Sequence, residues 1–141
     1  MSEPMCYADH QRQSRRDHGM RIYLATPYSD PDPAVRLKRF HHVNAVAARL
    51  MARGCMVFSP ISHTHPIAEA GDLPRGWEFW SEYDRTFIEW ADVVLVLMVD
   101  GYRESKGVQS EIRLASELGK AVFYGYGDEP FWLIAGPKPR E

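Results

Sequence analysis

Two carboxylates fall where a helix would bury them. Val108, Ile112, Ala115 and Leu118 recur at helical spacing, and Lys106, Gln109, Ser110, Arg113, Glu117 and Lys120 mark the opposite side. Glu111 projects between Ala115 and Leu118, on the apolar side, in the first turns of the helix, where the dipole favours negative charge. A second wheel gives the same anomaly. Trp80, Tyr83, Phe87, Ile88 and Ala91 form an apolar face, and Asp84 projects from its middle. Burying an unpaired carboxylate is costly, so each acid needs a partner or a purpose. The plain alternative is that each caps or pairs with a buried donor. The other is that the two acids, next to strand C-termini, belong to a functional site.

The turn Asp100–Gly107 (DGYRESKG) runs from a strand end into the helix that carries Glu111. Free N–H groups at such a helix start suit a phosphate or another anion. Ser105 is a natural N-cap, and Gly107 lets a ligand approach the backbone closely. An ordinary capped helix would read the same way. Neither a Walker loop nor a GxGxxG after the first strand is present, and no cofactor is expected.

Other residues invite chemistry with less force. His63 and His65 flank Thr64, which in a strand would put both on one face. With Glu69 or Asp72 they could begin a metal site, but a third ligand is not evident, and lining a pocket is the better expectation. Trp77, Trp80, Tyr83, Phe87 and Trp90 could stack a base but at helical spacing are more often core or interface, and Trp80 or Trp77, near Asp84, is preferred if one stacks. Arg36, Lys38 and Arg39 read as a solvated helix face, as do His41 and His42.

The elements that position these groups follow from periodicity. Arg21–Ala25 is a short apolar strand. Asp32-Pro33 reads as N-cap and first helical residue of a helix closed by Arg53 and Gly54. Cys55–Phe58 is a second strand, ended by Ser59-Pro60. Ile61–Arg75 reads as a long connection, and loops of that length tend to be functional. A helix to Trp90, the strand Ala91–Val99, a helix over Val108–Leu118 and the strand Ala121–Tyr124 follow, with one more short element expected around Phe131–Ile134. Ala91–Val99 is nearly all β-branched or aliphatic, as in a parallel sheet covered on both faces. The β-α-β-α-β-α-β order predicts a three-layer α/β/α domain with an open parallel sheet of four to five strands and flavodoxin- or Rossmann-like topology.

The 141 residues fit one domain, expected over residues 20–141. Residues 1–19 lack apolar periodicity and read as a mobile extension, with Met20 as an alternative start. The chain holds 17 Lys plus Arg against 19 Asp plus Glu, so broad binding to nucleic-acid polymers is disfavoured. Two cysteines, Cys6 and Cys55, cannot build a disulfide framework and fit a reducing cytoplasm. No run reaches the ~18 apolar residues of a membrane span.

Together these parts resemble the nucleoside 2-deoxyribosyltransferase superfamily, which includes 2′-deoxynucleoside 5′-phosphate N-hydrolases and bacterial families of unassigned function. The resemblance rests on Ile22-Tyr23-Leu24-Ala25, on Asp84 followed by Ala91-Asp92-Val93-Val94, on the Ser105–Glu111 segment SKGVQSE, and on Gly119-Lys120-Ala121-Val122. It implies that Glu111 is a nucleophile toward an anomeric carbon, that Asp84 is the assisting acid, and that Tyr23 orients the nucleophile. It implies a phosphate-contacting Ser105 and substrate contacts from Ala25, Thr26 and Pro27. Many members have a glycine-containing turn where this chain has Thr26-Pro27-Tyr28. The implied function is hydrolysis or transfer at the N-glycosidic bond of a (deoxy)nucleoside or (deoxy)nucleotide, in a homodimer or larger oligomer. Two alternatives stand beside it. One is a non-catalytic nucleotide-binding module. The other is a purely structural domain whose two acids are locked in ion pairs.

Overall fold

The structure, a computed structural model, describes residues 19–127. Residues 1–18, Cys6 among them, and the element expected around Phe131–Ile134 lie outside the described residues.

Four strands, β1 (Arg21–Ala25), β2 (Met56–Phe58), β3 (Val93–Leu97) and β4 (Ala121–Gly125), form one parallel sheet in the order β2-β1-β3-β4. The register aligns Tyr23 with Phe58 on one side and with Val94 on the other. Four helices complete the described residues: α1 (Pro33–Ala52), α2 (Pro60–Gly71), α3 (Trp77–Trp90) and α4 (Lys106–Glu117). The expected three-layer α/β/α architecture is the observed one.

Side chains alternate across the sheet. Ile22, Leu24, Val93, Leu95 and Leu97 enter one core with Val43, Val46 and Leu50 of α1 and Ile61 of α2; Cys55 is buried there too. Tyr23, Ala25, Val94 and Val96 enter the other core with Ile88 of α3 and Val108, Leu114 and Ala115 of α4. Strand direction of growth reverses between β1 and β3, since β2 lies outside β1 and β4 outside β3. A crevice opens beyond the strand ends at such a switch point.

One expectation is corrected. Most of the long connection read at Ile61–Arg75 is helix α2. Its start repeats the signature of α1, where Asp32 accepts from Ala34 N ahead of Pro33. Ser59 likewise accepts from Ser62 N ahead of Pro60. Pro66 inside the helix costs a backbone donor, yet Ile61, Thr64 and Ala68 bury a face, and tertiary packing overrides the breaker. Asp72, in the left-handed conformation with φ 50°, ends the helix. The connection that remains is the short stretch 72–76.

Candidate active site

β1 and the helices α3 and α4 bring three polar side chains together under the sheet face they cover. Tyr23 comes from the middle of β1 and is fully buried. Asp84 comes from the inward face of α3, beside Ile88, and is 7 % exposed. Glu111 comes from the inward face of α4, between Val108 and Leu114, and is 5 % exposed. Tyr23 Oη, Asp84 Oδ1 and Glu111 Oε2 are buried with no hydrogen-bond partner among the described residues. Groups of this kind are rare in folded proteins and call for an explanation.

The electrostatics follow from burial. Asp84 is pushed up to about 7 by loss of water alone. Burial pushes Glu111 well above the usual carboxylate range, and the charge of Asp84 pushes it further; the Tyr23 hydroxyl pulls it back down. Tyr23 is raised by burial first and then by the two acids. The hydroxyl is thus close enough to act on Glu111, although a hydrogen bond of good geometry is not formed. Catalytic hydrogen bonds are often long in empty sites and tighten around a ligand. No salt bridge to either acid occurs among the described residues, which pair Arg21 with Asp92, Arg75 with Glu69 and Arg85 with Glu89. Acids locked in ion pairs, the purely structural alternative, are therefore not found among the described residues.

A cleft of about 380 Å³ opens above Asp84 and Glu111. Thr26, Tyr28 and Ser29 line it from the segment after β1, and Ile61 and Thr64 from α2. Arg75, Gly76, Trp77 and Trp80 line it from the start of α3 and the connection before it, and Ser105, Lys106 and Gly107 from the start of α4. Ser105 Oγ accepts from Val108 N at 3.2 Å, the N-cap contact expected of it. A Cβ at Gly107 would stand 3.8 Å from Ser105 Oγ and 3.9 Å from Glu111 Oε1, so the glycine leaves open the space between cap and acid.

The fold does not bring every expected residue to this cleft. Ala25 and Pro27 are buried and do not line it, whereas Thr26 does. His63 and His65 do not line it. On a helix, residues two apart point to opposite sides, not to the one face a strand would give. His63 is exposed and its Nε2 meets Tyr83 Oη at 2.6 Å. His65 faces α1, stacks on Phe40 with centroids 4.4 Å apart, and its Nδ1 bonds the Tyr28 hydroxyl. Among the described residues no group of three or more His, Cys, Asp or Glu could hold a metal ion.

Arg36 and Arg39 are not a solvated face either. Arg36 bonds the Asp30 carbonyl, and Arg39 bonds the carbonyls of Tyr28, Ser29 and Asp100, which ties the segments after β1 and β3 together. Phe87 packs flat on Phe58, with centroids 3.7 Å apart, as core. His42 is half-buried and only His41 is exposed. Tyr28, Thr64, Arg75 and Lys106 line the cleft without any signal in spacing. Arg75 stands alone in a Pro- and Gly-containing stretch, which periodicity does not address.

A family model described as a domain of unknown function, DUF1937, matches residues 20–126. No curated protein matches the chain. A solved structure described as a 2-deoxyribosyltransferase from the psychrotolerant bacterium Bacillus psychrosaccharolyticus is 27 % identical, with 78 % of this chain and 75 % of that chain covered. Its TM-score of 0.48 is a loose likeness of shape and says nothing of chemistry here. No helix among the described residues is long and apolar enough to cross a membrane.

Proposed function

The chain belongs to the DUF1937 family, a domain family of unknown function, and we propose that it cleaves or transfers the N-glycosidic bond of a (deoxy)nucleoside or (deoxy)nucleotide. One observation carries the reading. Two buried carboxyls and a buried tyrosine, each with an oxygen that has no partner among the described residues, meet beneath an open cleft at the switch point of the sheet.

In this reading Glu111 is the nucleophile, Asp84 the acid and Tyr23 the orienting donor. The working state of the pair holds one proton; burial favours it on Glu111 in the empty site, and the reading requires that the bound base and the Tyr23 hydroxyl shift it to Asp84 and leave the Glu111 carboxylate free. A Glu111 oxygen attacks C1′ of the sugar, and the bond from C1′ to the base nitrogen breaks with its electron pair going to the base. Asp84 gives the base its proton. The glycosyl ester left on Glu111 is opened by water, which gives the free sugar, or by a second base, which gives a new nucleoside. In either case the incoming group returns a proton to Asp84. Two carboxylates divide the work in this way in retaining glycosyl chemistry generally. Ser105 and Gly107 would hold the ribosyl end or its phosphate at the start of α4, with Thr26 and Trp80 in the walls around it.

The test is a panel of nucleosides and 5′-monophosphates, ribo and deoxy, with and without an acceptor base, run beside Glu111→Ala. Base released by the wild type and not by the variant is expected. A second reading, a nucleotide-binding module without chemistry, is favoured by one feature: burial favours the protonated form of Glu111 in the empty site, and a protonated acid is no nucleophile. Thermal shifts with nucleotides but no base release would select that reading. Neither release nor shift would sink both.

A further inference from the structure

Arg75 is a cation in the cleft wall that the proposed chemistry leaves without a task. Its backbone is pinned on both sides. Ser29 Oγ donates to the Arg75 carbonyl at 3.2 Å, and Trp80 Nε1 donates to the carbonyl of Pro74 at 2.7 Å. Its guanidinium is pinned as well. Nη2 donates to Glu69 Oε1 at 2.8 Å, and the Tyr28 hydroxyl lies beside it; both hold the charge.

An arginine can only donate, so the Tyr28 oxygen accepts on that side, and its own proton is left for Nδ1 of His65. The imidazole is in turn fixed flat against Phe40. Burial lowers the His65 pKa, which favours the neutral ring and an accepting Nδ1. The chain of contacts thus has one direction: Arg75 donates to Glu69 and toward Tyr28, and Tyr28 donates to His65. Glu69 and Tyr28 do not use up the five guanidinium N–H donors, and Arg75 Nε is buried with no partner among the described residues. A planar fork held this firmly, with a donor unused, is built to meet an oxygen acceptor.

We propose that Arg75 is the specificity-determining residue of the cleft and donates to an oxygen of the bound nucleoside or nucleotide, with Glu69, Tyr28 and His65 as positioning residues. This rests on the N-glycosidic reading of the cleft. The acceptor oxygen can belong to a 5′-phosphate or to the carbonyl of an oxo base, and the experiment separates the two.

Equilibrium binding is measured on the full chain in a Glu111→Gln background, which stops turnover. The ligands are pairs: 2′-deoxyuridine against 2′-deoxycytidine, inosine against adenosine, and each nucleoside against its 5′-monophosphate. Arg75→Met should weaken one member of a pair by roughly 10- to 100-fold and leave the other within about twofold, as loss of a charged hydrogen bond does. Loss in the phosphate pairs assigns the phosphate, and loss in the oxo–amino pairs assigns the base. His65→Phe keeps the stack on Phe40 and should shrink the same discrimination ratio by a smaller factor. A merely structural role would lower every affinity alike. If Arg75→Met does not fold, Arg75→Lys keeps the charge without the fork and should move the same ratio less.

Equal weakening of both members of every pair, or no change in any, overturns the proposal for Arg75 alone. Failure of the parent chain to bind any ligand overturns the N-glycosidic reading and this inference with it.

Discussion

The charge of Asp84 acts directly on Glu111 and drives its carboxyl upward, with no cation among the described residues to offset it. A purely structural pair would be neutralised by Arg or Lys, since burying one unpaired carboxylate already costs several kcal/mol. Among the described residues, the group pulling the other way is the Tyr23 hydroxyl. The arrangement stores a proton between two helices, α3 and α4, above a strand.

Removal of each member should therefore cost activity in a set order. Glu111→Gln is expected to lower base release by roughly 10⁴-fold or more, as loss of a nucleophile does. Asp84→Asn should cost about 10²- to 10⁴-fold, the range of general acid catalysis. Tyr23→Phe should cost less than either. A Glu111→Gln enzyme with full turnover on a confirmed substrate would end the nucleophile assignment.

Activity should depend on pH through the pair and not through either acid alone. Below the value of about 7 reached by Asp84 that acid is protonated, and burial favours the protonated form of Glu111 as well, so the nucleophile is suppressed. The rate should rise as pH increases through neutrality and fall once the second proton leaves. Tyr23→Phe removes the group that lowers Glu111, so its acid limb should move to higher pH. A flat kcat/KM profile between pH 5 and 8 would contradict the shared proton.

Stability should run against activity. Both acids have folded pKa values above their unfolded ones, so the folded state binds more protons than the unfolded state above about pH 4. Their contribution is intact below the unfolded values and is lost as pH rises, through about 7 for Asp84 and through the raised range of Glu111. Asp84→Asn should match the wild type near pH 4 and exceed it at pH 8 by on the order of 3 kcal/mol. Glu111→Gln should behave likewise. Denaturant titrations at pH 4, 6 and 8 measure this directly. A variant less stable than wild type at pH 8 would mean that the acids have partners in the folded chain.

Gly107 separates folding from binding. Its Cβ space is clear of the chain by ordinary contact distances, and the residue lies in the first turn of α4. Gly107→Ala should stabilise the fold by about 0.5–1 kcal/mol, the usual gain for Gly to Ala in a helix. The added methyl projects between Ser105 Oγ and Glu111 Oε1, so nucleotide affinity should fall at least about tenfold if that space holds the ligand, a loss of roughly 1.4 kcal/mol. Unchanged affinity by calorimetry would move the ligand elsewhere in the cleft.

Much of this molecule is readable without coordinates. The apolar run in Val93–Leu97, buried along its whole length, announces a central parallel strand. Asp32-Pro33 and Ser105 announce helix starts, and both side chains cap as expected. Asp84 and Glu111 are detectable because a charged residue on an apolar stripe violates a pattern with one period and one face. Such information is local: it concerns residues three or four apart on a single element, and the chain carries it before it folds.

What tertiary structure decided is everything that depends on which elements meet. Helix α2 forms across Pro66 because Ile61, Thr64 and Ala68 find a core to enter, and no local propensity records that core. That helix then sends His63 to Tyr83 and His65 to Phe40 and Tyr28, away from the acids. Arg36 and Arg39 look solvated on a wheel, but they close loops whose carbonyls arrive from α1's own start and from beyond β3. Arg75 reaches the cleft only because Ser29 and Trp80 hold its backbone there. Periodicity reports which face of an element is wet. The identity of the neighbour across that face is a long-range property, set when burial of both cores selects one packing of the four helices on the sheet.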